Sequence, residues 1–318
     1  MWIMKEDANK AAKYKQLLYD ITGASFKKDG RKSHVPSNLQ ETTAYQLIDK
    51  TLFDEYLTAT PLRLRDMHRE LFAQLPQDVA GRILRDEKDC LESIFNYRSY
   101  FYQNKEFAYE VAKLMEINTC VYCNRQYTMT VVDSDTGEQL VRPEFDHWFP
   151  QSDYPDLEIS FYNLIPCCYF CNSSLKHDAQ MSLDKHIHPY IDREAGFSFT
   201  YVPTSNGHVV DVKIDSRQSK AYRRKVAETL RLLKVKQIYG MHSDFELKDL
   251  LNLAEANPPD YINVLVNDVA KNIGLDEEDA YRILFGTERK EENYLKRPMS
   301  KFKSDVIKKI KEDYGIKY

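Results

Sequence analysis

Cys120-Val121-Tyr122-Cys123-Asn124 and, further along, Cys168-Tyr169-Phe170-Cys171-Asn172 are the two stretches that decide the reading of this chain. Each CxxC turn can present two thiolates to one metal ion, and two such turns complete a tetrahedral sulfur site that suits zinc. Forty-four residues separate Cys123 from Cys168, so a folded segment must lie between the knuckles rather than a zinc ribbon's short turn. Cys120, Cys123, Cys168 and Cys171 are therefore assigned to structural Zn²⁺. Four thiolates leave no open position for a substrate, so any chemistry must come from other residues. Cys167 lacks the two-residue spacing to Cys171 and is assigned to the packed core, although it could in principle replace Cys168 as a ligand.

Composition frames this motif. The 318 residues are 42% hydrophobic and 30% charged, enough for a buried core under a well-solvated surface. A net charge of -4 gives no basic signal over the whole chain, so a nucleic-acid partner has to be argued from local charge. The N-terminus lacks a secretory pattern, and no run of about 18 apolar residues is present. A cytoplasmic protein with no membrane span is expected. There, clustered cysteines bind metal more often than they form disulfides.

Outward from the motif, the texture divides into a helical N-terminal region (1–118), the motif module (119–190) and a mainly helical C-terminal region (191–318). Helical spacing of apolar residues predicts helices over 8–19, 44–56 and 62–75, the last opening at Pro61. Residues 83–115 read as one long helix or two. Their aromatic series (Phe95, Tyr97, Tyr100, Phe101, Tyr102, Phe107, Tyr109) reads as a core face, with base stacking as the alternative. Residues 23–38 form a loop whose Lys27, Lys28, Arg31 and Lys32 are either solvated or near phosphate. Strands are expected at 126–132 and 140–145 around a turn at 133–138, with Pro143 restricting the second. A hairpin at 197–202 and 208–214 turns at Ser-Asn-Gly. Helices follow at 219–236, 243–256, 261–270, 276–285 and 300–314.

Between the knuckles lie Asp146-His147-Trp148-Phe149-Pro150-Gln151-Ser152 and then Asn163-Leu164, with Lys176 after the second CxxC-Asn. The string resembles the HNH, or ββα-metal, nucleases, in the branch that carries paired CxxC motifs. That branch shows CxxC, Asp-His-x-x-Pro-x-Ser, Asn-Leu, CxxC-Asn and a nearby Lys, and every part is present in order over about residues 119–176. The resemblance implies an α+β fold: a small ββα centre with a four-cysteine zinc site, embedded in a mainly helical chain. It implies His147 as the general base and Asp146 and Asn172 as ligands of a catalytic Mg²⁺ or Mn²⁺. It implies Asn163 as the residue that holds the loop and so aims the imidazole. Two departures stand out. The usual Gly pair after Ser is replaced by Asp153-Tyr154-Pro155-Asp156, and Lys176 sits one residue later than usual. Lys176 is then either a phosphate contact or an ordinary surface charge of the helix. Without the resemblance, His147 would be a packed histidine beside Trp148, and Asn172 a helix cap. His186 and His188 are placed in a loop leading to Pro189-Tyr190.

Between 213 and 236 there are nine basic residues against Asp215 and Glu228. On the helix there, Lys220, Arg223, Arg224 and Arg231 share one face, which is either a phosphate-tracking stripe or a solvated surface. The resemblance points to hydrolysis of DNA phosphodiester bonds, with RNA cleavage or an inactive binding module as alternatives. Architecture of this kind is similar to bacterial phage-defence effectors, some working beside an ATPase subunit as in Septu-type systems. A homo-oligomer is also compatible with it.

Overall fold

The computed structural model describes residues 3–23, 26, 35–177, 179–256, 264 and 274–315. Helix α1 (Ala8–Thr22) is capped by Asp7, whose carboxylate accepts from the amides of Asn9 and Lys10, and it ends on Gly23 at φ 69°. Two short helices, α2 (Thr43–Leu47) and α3 (Lys50–Thr58), occupy 44–56 where a continuous helix was expected. The chain turns extended at Ile48, and Asp49 caps the restart by accepting from the Leu52 amide. Helix α4 (Pro61–Phe72) begins at the proline as expected. The stretch 83–115 resolves into three pieces: α5 (Arg85–Ile94), a wide π-type turn (Arg98–Gln103) and α6 (Lys105–Met115). Asn104 caps α6 through its side chain, which is why the aromatic run does not continue as one helix.

The expected strand pair at 126–145 is shorter and divided. Strands β1 (Val131–Val132) and β2 (Gln139–Val141) make a small hairpin, and Pro143 interrupts the second arm. The chain then starts a separate strand, β3 (Glu144–His147), which pairs antiparallel with β4 (Leu164–Cys167). Register places Asp146 opposite Ile165 and His147 opposite Leu164. One wide helical turn, Phe170–Lys176, follows β4 directly.

Strands β5 (Phe197–Thr204) and β6 (Gly207–Ile214) form the expected hairpin. Gly196, at φ 68°, lets α7 (Lys220–Leu232) pack closely: a Cβ there would lie 2.7 Å from the Tyr222 ring. Helix α8 (Val235–Gly240) continues after a break at Lys234, and a π-type turn (Ser243–Leu247) leads into α9 (Lys248–Glu255). Helices α10 (Glu277–Phe285) and α11 (Ser300–Tyr314) close the described chain. The helix expected at 261–270 and the four basic residues of the 23–38 loop lie outside the described residues. No helix among the described residues is long and apolar enough to cross a membrane.

One buried cluster runs through all three regions read from the sequence. Met4 donates its amide to Pro189 O, and Thr119 donates its hydroxyl to Leu295 O. Asn124 adopts the left-handed conformation (φ 52°) behind the first knuckle, and its amide donates to Tyr294 O and to Thr119 Oγ1. The result is a mixed fold of helices and short antiparallel strand pairs, with β3–β4 at its centre.

Candidate functional site

The four cysteines of the paired knuckles converge. Their Sγ atoms all lie within 4.8 Å of one another, and all four residues are buried and free of disulfides. Sulfurs bound about 2.3 Å from a tetrahedral zinc stand roughly 3.8 Å apart. The Cys123–Cys168 separation of 4.0 Å matches that edge. Hydrogen bonding from Cys120, Cys123 and Cys171 holds the Cys168 thiol far below its ordinary range, whereas burial drives Cys120 up. Such thiol crowding is relieved when a cation takes the protons' place. Cys167 is fully buried but stands outside the four-sulfur group, in agreement with its assignment to the core.

Strand β3 has two functional faces, because successive side chains point to opposite sides. Glu144 and Asp146 face the Phe170–Lys176 turn. Asn172 donates its amide to Glu144 Oε2 (2.9 Å), and Lys176 donates to Asp146 Oδ1 (3.0 Å) and to His147 O (2.8 Å). The second Asp146 oxygen accepts from the Tyr122 hydroxyl, which comes from the middle of the first knuckle. Burial raises the Asp146 carboxyl above its usual range, opposed by the Lys176 ammonium and the Tyr122 hydroxyl.

Lys176 sits in neither of its two expected settings, because its ammonium is buried on Asp146 and His147 O rather than open to solvent or to a phosphate. It is not a surface charge, since only 2% of it is exposed. The ammonium is turned inward onto Asp146, where a buried carboxylate needs a counter-charge.

Phe145 and His147 face the other way, towards the Arg98–Gln103 turn. The His147 ring meets the Tyr97 ring edge-on at 4.5 Å. Its Nε2 lies 2.7 Å from Glu158 O. A carbonyl can only accept, so Nε2 carries the proton and Nδ1 keeps the lone pair. Burial lowers the ring to about 4, so it is neutral at physiological pH. Burial conversely pushes Glu158 up to about 8.

Asn163 braces the loop between these strands. Its Oδ1 accepts from the Phe149 amide (2.7 Å), and its Nδ2 donates to Phe149 O (3.1 Å) and Leu157 O (2.9 Å). Its backbone carbonyl accepts from the Trp148 amide. The residue thereby fixes the chain just after His147.

Comparison with protein-family models, with curated proteins and with solved structures returns no match.

Glu144, Asp146 and Asn172 lie on one side of β3, but the Asp146 oxygens are taken by the Lys176 ammonium and the Tyr122 hydroxyl and the Asn172 amide donates to Glu144, so a hard divalent cation would fit there only in place of Lys176. Glu144 was not singled out from sequence, although its place two residues before Asp146 on a strand was a signal for it. Tyr122, Tyr97 and Glu158 were also missed, and they are brought in only by tertiary packing.

The remaining expectations fall as follows. His186 and His188 are buried, and His188 packs against the Trp148 ring at 4.4 Å. Lys220, Arg223, Arg224 and Arg231 are all exposed on α7, while Val226 and Leu233 face the core. Arg231 is paired with Glu228 at 2.7 Å, leaving Lys220, Arg223 and Arg224 as the unpaired cations of that face among the described residues.

Proposed function

We propose that the chain is a metal-dependent endonuclease of the HNH type that hydrolyses phosphodiester bonds in DNA. One observation carries the reading. A neutral imidazole with a defined tautomer sits at the end of a short hairpin, behind a loop fixed by Asn163 and on the face of β3 opposite to Glu144 and Asp146. The antiparallel pair β3–β4 followed by the Phe170–Lys176 turn has the strand–strand–helix order of a ββα centre.

The chemistry follows from the residue types. His147 Nδ1 takes a proton from a water as its oxygen bonds to phosphorus, the P–O3′ bond breaks, and solvent protonates the departing oxygen. A base near 4 is weak, but an anionic phosphate arriving beside the ring stabilises its protonated form and strengthens it. The Glu158 carbonyl holds the ring's orientation through that transfer. Asp146, with Glu144 and Asn172, would hold a divalent cation once Lys176 is displaced, and the charge it supplies would offset the charge that grows on the leaving oxygen. Zinc held by Cys120, Cys123, Cys168 and Cys171 would anchor β4 and the Phe170–Lys176 turn to the knuckle that carries Tyr122. The exposed cations of α7 suit the phosphate backbone of the same substrate.

Lys176's hold on Asp146 favours a second reading, in which the centre is a folded scaffold that binds without cutting. Incubating the zinc-loaded chain with supercoiled plasmid and with RNA, in Mg²⁺ or Mn²⁺, separates the two. Nicked or linear plasmid is the expected product. RNA cleavage alone would move the substrate to RNA, and no cleavage of either would remove the hydrolytic reading for the isolated chain. A role as a phage-defence effector beside an ATPase subunit rests on the architectural resemblance. Co-purification of such a subunit, with loss of protection in cells carrying His147→Ala, would test it.

A further inference from the structure

Six of the seven aromatics between 95 and 109 are buried, as a core face should be. Tyr102 is the exception, with 67% of its surface exposed. Its ring is held edge-on by Tyr97 at 5.8 Å, and Tyr97 in turn holds His147. Two cavities, of about 880 Å³ and about 430 Å³, meet at this place, because Tyr97 and Tyr102 line both. The larger reaches Arg98 and Glu158, and the smaller reaches Lys105, Arg142 and Asn172. Glu144 and Phe145 also line the smaller one. These adjoining openings form a trough along the Tyr97–Tyr102 pair, and neither Asp146 nor His147 lines it.

Beside Tyr102 the local charge favours an anion. Arg98 and Lys105 are exposed and have no ion pair among the described residues. Arg142 lies over the Phe145 ring, and its guanidinium donates to Pro143 O. Of the acids, Glu92 is 3.6 Å from Lys88, Glu144 stands at the far end of the smaller opening and accepts from Asn172, and burial pushes Glu158 up to about 8. An exposed aromatic ring beside uncompensated cations is how proteins hold unpaired nucleotides, the base on the ring and the backbone on the charges. A closed duplex offers no base face to Tyr102.

We propose that this trough is a subsite for a single-stranded stretch of nucleic acid, with one base stacked on Tyr102 and its phosphates drawn to Arg98 and Lys105. The inference rests on the nuclease reading for its purpose. It adds that the strand enters unpaired.

Binding can be read without cleavage. Fluorescence anisotropy of the full-length, zinc-loaded protein is measured without added divalent cation. The probes are labelled single-stranded DNA, single-stranded RNA and blunt duplex DNA of one sequence. Single strands should bind more tightly than the duplex, and the ratio between the two single strands assigns the sugar. Tyr102→Ala should weaken single-strand binding about tenfold or more, while Tyr102→Trp retains it. Arg98→Ala and Lys105→Ala should each reduce the salt slope by about 0.7. Wild-type affinity in Tyr102→Ala, or equal affinity for duplex and single strands, overturns the subsite. Absent cleavage with Tyr102-dependent binding would instead remove the nuclease reading and leave the subsite standing.

Discussion

Lys176→Met removes an ammonium from a place that water hardly reaches. Lys176 and Asp146 are 2% and 5% exposed at their side chains, and their charged atoms are 3.0 Å apart. The substitution leaves the Asp146 carboxylate with the Tyr122 hydroxyl alone and takes one donor from His147 O. Removing one partner of a buried ion pair costs about 3–5 kcal/mol, because the other charge is left uncompensated. The loss should depend on pH. Without Lys176 the Asp146 carboxyl, already raised by burial, rises further. A carboxyl raised in the folded state contributes stability that is present at low pH and lost as pH rises through its folded value. The deficit relative to wild type should thus be largest near pH 8 and shrink near pH 5. Urea unfolding followed by the fluorescence of buried Trp148 measures it at both values. Asp146→Asn combined with Lys176→Met should recover at least about 2 kcal/mol of the loss, since no charge then remains buried. If Asp146 is a cation ligand, millimolar Mn²⁺ should raise the midpoint of Lys176→Met more than that of wild type. A single-variant deficit below about 1 kcal/mol, or one unchanged between pH 5 and pH 8, would refute the buried-pair argument.

Three further outcomes follow from named contacts. Elemental analysis should find one zinc per chain, and Cys168→Ser should lower both zinc content and thermal midpoint; full zinc retention in that variant would displace Cys168 from the ligand set. Asn163→Ala strands two carbonyls and the Phe149 amide in a buried loop, which should cost about 3 kcal/mol or more in chemical unfolding. Glu158→Gln should be more stable than wild type at pH 9 and about equal at pH 5. Glu158's value, raised from 4.5 to about 8, means that wild-type stability falls as pH rises between those values and the loss is complete above the upper one; parallel wild-type and variant curves from pH 5 to 9 would disprove this.

What the sequence disclosed was local. Paired CxxC turns are defined by covalent spacing, so the four-sulfur cluster was legible before any fold was known. Helix starts marked by Pro61 and the Ser-Asn-Gly hairpin were legible for the same reason, as were the core positions of α7. The break between α2 and α3 was hidden because the apolar period runs across Ile48, while Asp49 quietly offers a new cap. The inward turn of Lys176 was hidden too, since nothing nearby in the chain announces a buried carboxylate thirty residues away. Tyr122 reaches Asp146 from within a zinc knuckle, where its neighbours draw attention to sulfur. Tyr97 reads as one more core aromatic, and only the fold shows that it separates His147 from the exposed ring of Tyr102.

The most direct test compares wild type with His147→Ala, both zinc-loaded and folded, for rate of plasmid nicking against pH in saturating Mn²⁺. The account predicts that the wild-type rate climbs with pH along an acid limb at or above about 4, and that the limb and nearly all activity vanish in the variant. Nicking by His147→Ala at the wild-type rate, with the same pH profile, would contradict it.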